Sequence, residues 1–188
     1  RTTNRTGRYD DLTAADLADI DAGGWFSPRF VGEPLPTLSD LIDLMNDTGL
    51  NANIEIKPNG TGKEASLRLV DGVIAQLERL HPGVEVIVSS FSHLLLHLFK
   101  QRAPEVLVGC LYESRSLSDD WRSTLEIVGA DYIHPEDSGL TRQQVQEFRA
   151  AGYGVNVWTV NSPSRANELF NWGVTGVFSD VAHQIPGR

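Results

Sequence analysis

The sequence predicts an α/β fold built on a parallel sheet, and three observations support that prediction. Six short runs rich in β-branched residues alternate with segments of helical periodicity. After the first run, the runs begin roughly every 22 to 24 residues, which accommodates one strand, a loop and a three-turn helix. No low-complexity linker interrupts the alternation, so we expect a single domain over residues 1–188.

The first helices precede the first strand. Thr13 and Thr37 are suited to cap two helices that end near residues 22 and 46, and residues 23–36 between them, rich in Gly, Pro and aromatics, have no period. We interpret that segment as an ordered surface loop. The predicted strands cover residues 52–57, 85–91, 106–112, 131–134, 154–160 and 176–179.

Two later helices have clear start and stop residues. Thr141 precedes a helix over 142–151 that ends at Gly152, and Ser162 with Pro163 opens another that ends at Gly173. Six βα units fit either an open doubly wound sheet or a (β/α)8 barrel. A barrel needs at least about 200 residues, so 188 residues with six units would be two units short.

Composition excludes several classes of function. The formal net charge is −9, which argues against binding to nucleic acid or to an anionic membrane surface. No apolar run approaches the length of a membrane span, so we expect no stable membrane insertion and predict a cytoplasmic protein. A single cysteine, Cys110, cannot form an internal disulfide, and we expect it to be buried and inert.

The strand at 52–57 is the one that points to chemistry. Side chains alternate along a strand, so Ile54 and Ile56 share one face while Asn53, Glu55 and Lys57 share the other. In a barrel the polar face would point inward near the rim where active sites lie. A carboxylate there suits a hard divalent metal, and an ammonium suits an oxyanion. An exposed edge strand with two solvated charges would give the same pattern.

Seven short motifs resemble the glycerophosphodiester phosphodiesterase family, in the family's order and over essentially the whole chain. The most specific is Ile54-Glu55-Ile56-Lys57-Pro58. The others are RTTNRTG at 1–7, DAGGWFSPRF at 21–30, SSF at 89–91, IHP at 133–135, VWTVN at 157–161 and GVFSD at 176–180.

The resemblance implies a (β/α)8 TIM barrel of the phospholipase C-like phosphodiesterase type. It implies metal-dependent hydrolysis of a small glycerophosphodiester to an alcohol and sn-glycerol 3-phosphate. Glu55 would be a ligand of Mg2+ or Ca2+, and Lys57 would bind a non-bridging phosphate oxygen. Phe91 and His134 end later predicted strands and Trp158 lies near the end of another, so we expect all three to bind substrate. The Trp158 ring could pack on the glycerol carbons or on a choline headgroup through a cation–π contact. Packing in the core explains the two aromatic residues equally well.

The resemblance also implies parts that these 188 residues do not contain. Family members have a His-Arg-Gly strand, a Glu-x-Asp strand and a His-Asp step ahead of the segment at 1–7. We therefore expect the first two βα units, two metal ligands and the acid/base histidines to lie upstream, so we assign no catalytic residue here. We expect little phosphodiesterase activity from this chain alone, and self-association through an open barrel edge.

Two alternatives use the same residues. One is a non-catalytic remnant of such a barrel that binds phosphorylated ligands or serves as a scaffold. The other is a related barrel lyase that releases a cyclic phosphate from phospholipids. The sequence upstream in the parent gene would discriminate enzyme from remnant, and product analysis would discriminate hydrolysis from cyclisation.

Overall fold

The computed structural model describes residues 1–58, 60 and 62–185, and contains six strands and seven α-helices within them. The strands are β1 (Ala52–Glu55), β2 (Val86–Ser90), β3 (Leu107–Tyr112), β4 (Tyr132–Pro135), β5 (Gly154–Val157) and β6 (Gly176–Val177). The helices are α1 (Ala14–Ala18), α2 (Leu38–Thr48), α3 (Lys63–Leu77), α4 (His93–Arg102), α5 (Trp121–Val128), α6 (Arg142–Ala150) and α7 (Pro163–Trp172). Short 3-10 helices cover Tyr9–Asp11, Pro28–Phe30 and Ala182–Gln184.

The six strands form one parallel sheet in the order β1-β2-β3-β4-β5-β6. Each strand therefore pairs with the next one along the chain, and each pair is joined through a helix. A doubly wound sheet reverses its strand order at a switch point, whereas a barrel keeps sequential order. The predicted α/β class is confirmed, and the strand order favours the barrel over the open sheet.

Local signals in the sequence account for the helix ends. Thr37 caps α2 in a capping box with Asp40, and Thr141 caps α6 in one with Gln144. Ser162 caps α7, whose first residue is Pro163. The first helix is shorter than predicted: it ends at Ala18 instead of near residue 22. Beyond its end, the backbone N–H of Asp21 donates to the Asn4 side chain, outside the helical hydrogen-bond pattern.

Two compact units can be described separately. The first comprises residues 1–50 and 75–84, and the second comprises residues 51–74 and 85–188. In the first unit, the Asn46 amide donates to the carbonyl of Arg79 and accepts from the N–H of His81, which fastens α2 to the segment after α3. The region 23–36 is irregular apart from its one 3-10 helix, as predicted.

The second unit contains the whole sheet, and its strands present two unlike faces. One face carries fully buried apolar side chains, among them Val88, Val108, Ile133, Val155 and Val157. The other face carries Glu55, Ser89, Gly109 and Tyr132 in register across four strands. The residues that could do chemistry lie on this second face.

No helix in the described part of the chain is both long enough and apolar enough to cross a membrane.

Candidate functional site

A cavity of about 420 Å³ lies where the strands of the second unit end, on the polar face of the sheet. Four of its lining residues were predicted from sequence to bind metal or substrate: Glu55, Lys57, Phe91 and Trp158. Five others complete its lining, namely Asn53, Ser89, Leu111, Thr159 and Phe178. We call this cavity the strand-end pocket.

The charged side of the strand-end pocket is built by β1 and the two residues after it. Glu55 Oε1 and Lys57 Nζ are 3.7 Å apart, with 32% of the Glu55 side chain and 75% of the Lys57 side chain exposed. The Asn53 amide donates to Ser89 Oγ at 2.8 Å, which ties this face of β1 to β2. The ammonium is thus the more accessible charge and can reach an anion in the pocket.

The apolar side of the pocket is an aromatic pair. The rings of Phe91 and Trp158 meet edge to face, with centroids 5.5 Å apart. Trp158 Nε1 donates to the carbonyl of His134 at 2.8 Å. The Trp158 backbone N–H donates to the carbonyl of Pro135 at the end of β4, and its carbonyl accepts from the N–H of Asp137. The peptide bond between Trp158 and Thr159 is cis. The hydrogen bonds to β4 therefore fix the position of the Trp158 side chain, which lines the pocket.

His134 was also predicted to line the pocket, but the structure places it underneath. Its side chain is fully buried and is absent from the pocket lining. Its Nε2 is 3.3 Å from the Asn156 amide, its Nδ1 has no hydrogen-bond partner among the described residues, and its ring lies 5.2 Å from that of Phe178. Burial lowers the pKa of His134 to about 4. A neutral, enclosed imidazole can support the pocket floor but does not contact a ligand in this arrangement.

Five lining residues were not among the sequence predictions. Ser89, Leu111 and Phe178 belong to, or directly follow, strands that were predicted, and each shares its face with a pocket residue or a glycine two positions away. The alternation of side chains along each strand carried that information. Choosing the inward face of these later strands required the register between strands, whereas in β1 the two charged side chains marked the polar face without a partner strand.

The described residues do not by themselves make a metal site. No group of three or more His, Cys, Asp or Glu side chains that could hold a metal ion occurs within residues 1–58, 60 and 62–185. In the strand-end pocket Glu55 is the one carboxylate of the described lining, and it already faces Lys57. Mg2+ and Ca2+ take six or more oxygen ligands, so the donor set seen here is insufficient.

Two histidines of α4 and the single cysteine do not line the strand-end pocket. His93 and His97 on α4 bond to the carbonyls of Leu111 and Ile127, which are packing contacts. Cys110 is buried in β3 as predicted, and burial raises the pKa of its thiol to about 12, which keeps the thiol protonated.

Comparison with known proteins gives a consistent result. The model of the glycerophosphoryl diester phosphodiesterase family matches residues 1–183. A glycerophosphodiester phosphodiesterase of Caldanaerobacter subterraneus is 30% identical over 180 residues, which are 96% of this chain and 72% of that protein. One from Bacillus subtilis is 30% identical over 208 residues, covering 98% of this chain and 68% of that protein.

A solved structure agrees with the sequence comparisons. A phosphodiesterase of Oleispira antarctica, in complex with the product sn-glycerol 3-phosphate, superposes with a TM-score of 0.91 at 29% identity, covering 98% of this chain and 73% of that one. The sheet order, the strand-end pocket and these matches lead to one conclusion: the chain belongs to the glycerophosphoryl diester phosphodiesterase family.

Proposed function

We propose that this chain supplies the substrate-binding wall of an enzyme that hydrolyses glycerophosphodiesters to an alcohol and sn-glycerol 3-phosphate. The observation that carries the proposal is that Lys57 and an aromatic pair line the same pocket. The product bound to the Oleispira antarctica relative is the same phosphomonoester.

Lys57 is the residue we assign to the phosphate. Its ammonium is largely exposed, and its partner Glu55 is 3.7 Å away, too far for a strong hydrogen bond. An exposed ion pair of this kind contributes little stability, so a phosphate oxygen can displace it at small cost. A charge-assisted hydrogen bond from Nζ to a non-bridging oxygen would fix the phosphate at the end of β1.

The aromatic pair is assigned to the carbon-bearing part of the substrate. Glycerol carbons pack on an aromatic face and edge without needing a polar partner. Trp158 is held by its hydrogen bond to the carbonyl of His134, and the His134 ring lies against Phe178 on the pocket lining. We accordingly assign His134 to positioning rather than to direct substrate contact.

Glu55 is proposed as one oxygen ligand of Mg2+ or Ca2+, with the remaining ligands outside the described residues. Such an ion would polarise the phosphoryl oxygens when bound. The support for this role is the family membership and the location of Glu55 two residues before Lys57 on the same face. In the same way we propose that the six strands are six of the eight strands of a (β/α)8 barrel, which their sequential order supports.

The binding role can be tested by titrating the 188-residue chain with sn-glycerol 3-phosphate, with and without MgCl2, by calorimetry or NMR. We expect Lys57→Met to weaken binding by about 10- to 100-fold, since a hydrogen bond to a charged group contributes about 1.5 to 3 kcal/mol. Lys57→Arg should retain most of the affinity. Lys63→Met, at the exposed start of α3, is the matched control and should bind like wild type.

Two results would contradict the proposal. One is a wild-type chain that does not bind sn-glycerol 3-phosphate at millimolar concentration. The other is binding that Lys57→Met leaves unchanged while the Lys63→Met control behaves as expected.

A further inference from the structure

A second cavity adjoins the strand-end pocket. It has a volume of about 450 Å³ and shares Phe91 and Leu111 with the strand-end pocket as a common wall. Its other lining residues come from the start of α4, the end of β3 and the loop into α5: His93, Tyr112, Glu113, Ser116, Ser118 and Thr124. We call it the side compartment. A ligand whose phosphate lies at Lys57 could extend past Phe91 into it.

Four of the eight residues that line the side compartment carry a hydroxyl group. Tyr112, Ser116, Ser118 and Thr124 each contribute one. Tyr112 Oη is enclosed and makes no hydrogen bond of standard geometry within the described residues, but it lies close enough to the Thr124 side chain for hydrogen bonding between them to act on its pKa. Burial raises the pKa of Tyr112, so the phenol stays protonated and can donate a hydrogen bond.

His93 adds an acceptor to these hydroxyls. Its Nε2 is 3.1 Å from the carbonyl of Leu111, and a carbonyl oxygen can only accept, so Nε2 carries the proton. The remaining ring nitrogen, Nδ1, is then an acceptor. Burial lowers the pKa of His93, which favours this neutral form. Together with Thr124, whose hydroxyl lies beside Tyr112 Oη and can donate as well as accept, it gives the compartment hydrogen-bonding groups suited to a ligand that carries hydroxyls.

The side compartment presents no unpaired charge among its described lining residues. Glu113 is its one carboxylate, and it forms an exposed ion pair with Arg115, which weakens its attraction for a ligand cation without removing it. A trimethylammonium group would need an unopposed carboxylate or an open aromatic face. Among the described lining residues, the Phe91 ring, which is 44% exposed and meets Trp158 edge to face, is the aromatic surface that such a cation could use, whereas four lining residues carry hydroxyl groups. The chemistry therefore suits a neutral group that carries several hydroxyls.

We propose that the side compartment binds the alcohol half of the diester, and that it selects neutral polyhydroxy alcohols of the glycerol and inositol type over choline. This inference rests on the proposed function, because it requires the phosphate to lie at Lys57. It assigns Tyr112 and Thr124 to specificity for the leaving alcohol, with no part in the chemical step.

The experiment compares three ligands on the 188-residue chain by calorimetry or ligand-observed NMR. These are sn-glycerol 3-phosphate, glycerophosphoglycerol and glycerophosphocholine. We expect glycerophosphoglycerol to bind about 3- to 10-fold tighter than glycerophosphocholine, as one or two net hydrogen bonds would give. Tyr112→Phe and Thr124→Val should each reduce that preference while leaving the affinity for sn-glycerol 3-phosphate unchanged.

Tyr153→Phe, on the loop between α6 and β5, is the matched control and should keep the preference. Tyr112→Phe keeps the buried ring and removes a hydroxyl that makes no hydrogen bond of standard geometry, so we expect it to fold, which a thermal melt checks. Equal binding of the two diesters, or a preference that survives both variants, overturns this inference while sn-glycerol 3-phosphate still binds. Failure of sn-glycerol 3-phosphate itself to bind overturns the proposed function and this inference together.

Discussion

Gly109 on β3 leaves the space that the imidazole of His134 on β4 occupies. A Cβ placed on Gly109 would lie 2.5 Å from His134 Cε1 and 2.6 Å from Nε2, well inside contact distance. Gly154 leaves the same kind of space for the ring of Tyr132, and Gly176 for the Asn156 amide. On this face of the sheet, a glycine on one strand therefore lies beside each large side chain of a neighbouring strand. The glycines leave the space that the large side chains fill.

The first prediction concerns Gly109. We expect Gly109→Ala to destabilise the chain by about 1 to 3 kcal/mol, because the added methyl group overpacks a buried site. In urea unfolding, His134→Ala should relieve part of that cost, so the double variant should be more stable than the sum of the two single changes. Gly72→Ala, in an open part of α3, is the control and should be neutral or slightly stabilising. Additive changes at Gly109 and His134 would mean that the two residues do not clash.

The second prediction concerns pH. The pKa of His134 is about 4 in the folded chain against 6.5 unperturbed, so the unfolded chain binds more protons between these values. The free energy of unfolding should therefore keep its full contribution from neutral His134 above pH 6.5 and fall by up to about 3 kcal/mol as the pH drops toward 4. Urea midpoints at pH 7 and pH 4.5 test this. His134→Gln should flatten the dependence, whereas His81→Gln, at an exposed position, should not. A His134→Gln variant as pH-sensitive as wild type would contradict the assignment.

A third prediction concerns metal. The 188-residue chain should bind Mg2+ and Ca2+ only at millimolar concentrations or weaker, because its pocket offers one carboxylate that already faces an ammonium. Calorimetric titration with CaCl2 measures this, and Glu55→Gln should abolish the residual binding. Micromolar affinity in wild type would show that the chain's own residues complete a site.

The fourth prediction concerns turnover. With Mg2+ or Ca2+ present, the 188-residue chain should release little or no sn-glycerol 3-phosphate from glycerophosphocholine. Glu55 and Lys57 are the titratable side chains of the described pocket lining, and neither matches the acid/base histidine pair that the family resemblance implies. Phosphorus NMR detects the product. Rapid, metal-dependent release would disprove this expectation and require another pair of groups for proton transfer.

A fifth prediction concerns the edge of the sheet. Within the described residues β1 pairs with β2 alone, so the opposite edge of β1 keeps free backbone groups. We expect concentration-dependent self-association, measured by light scattering or sedimentation. The N–H groups of Ala52 and Ile56 bond to the β2 side, so Asn53 directs its N–H to the free edge. Asn53→Pro should therefore reduce association, and a wild-type monomer at all concentrations would refute the idea.

Features set by neighbours in the sequence were predictable. Thr37, Thr141 and Ser162 with Pro163 marked helix starts, and the structure caps α2, α6 and α7 with those residues. All six predicted strands are present, although several end earlier than expected. For example, β1 stops at Glu55 and β6 at Val177, where ladder pairing gives way to the loops that carry Lys57 and Phe178.

Features set by distant residues were not. His134 was predicted to be a pocket residue because it ends a strand. The pairing of β4 with β3 shows instead that its ring packs against Gly109 on the neighbouring strand. Phe178 was missed because its inward direction depends on how β6 pairs with β5. Glu55 and Lys57 were found because one strand carried both charges on one face, a pattern that needs no partner strand to detect.

The hydrogen bond from the Trp158 indole to the carbonyl of His134 has a consequence for affinity. A side chain already confined to one rotamer loses little further freedom when a ligand arrives, so the usual entropic cost of ordering a contact surface is largely absent for this ring. Replacing Trp158 with Phe would keep an aromatic surface but release it from β4. Each ligand would then have to order the side chain at position 158 when it binds, at a cost in conformational entropy. Binding would be weaker although no direct contact to the phosphate is lost.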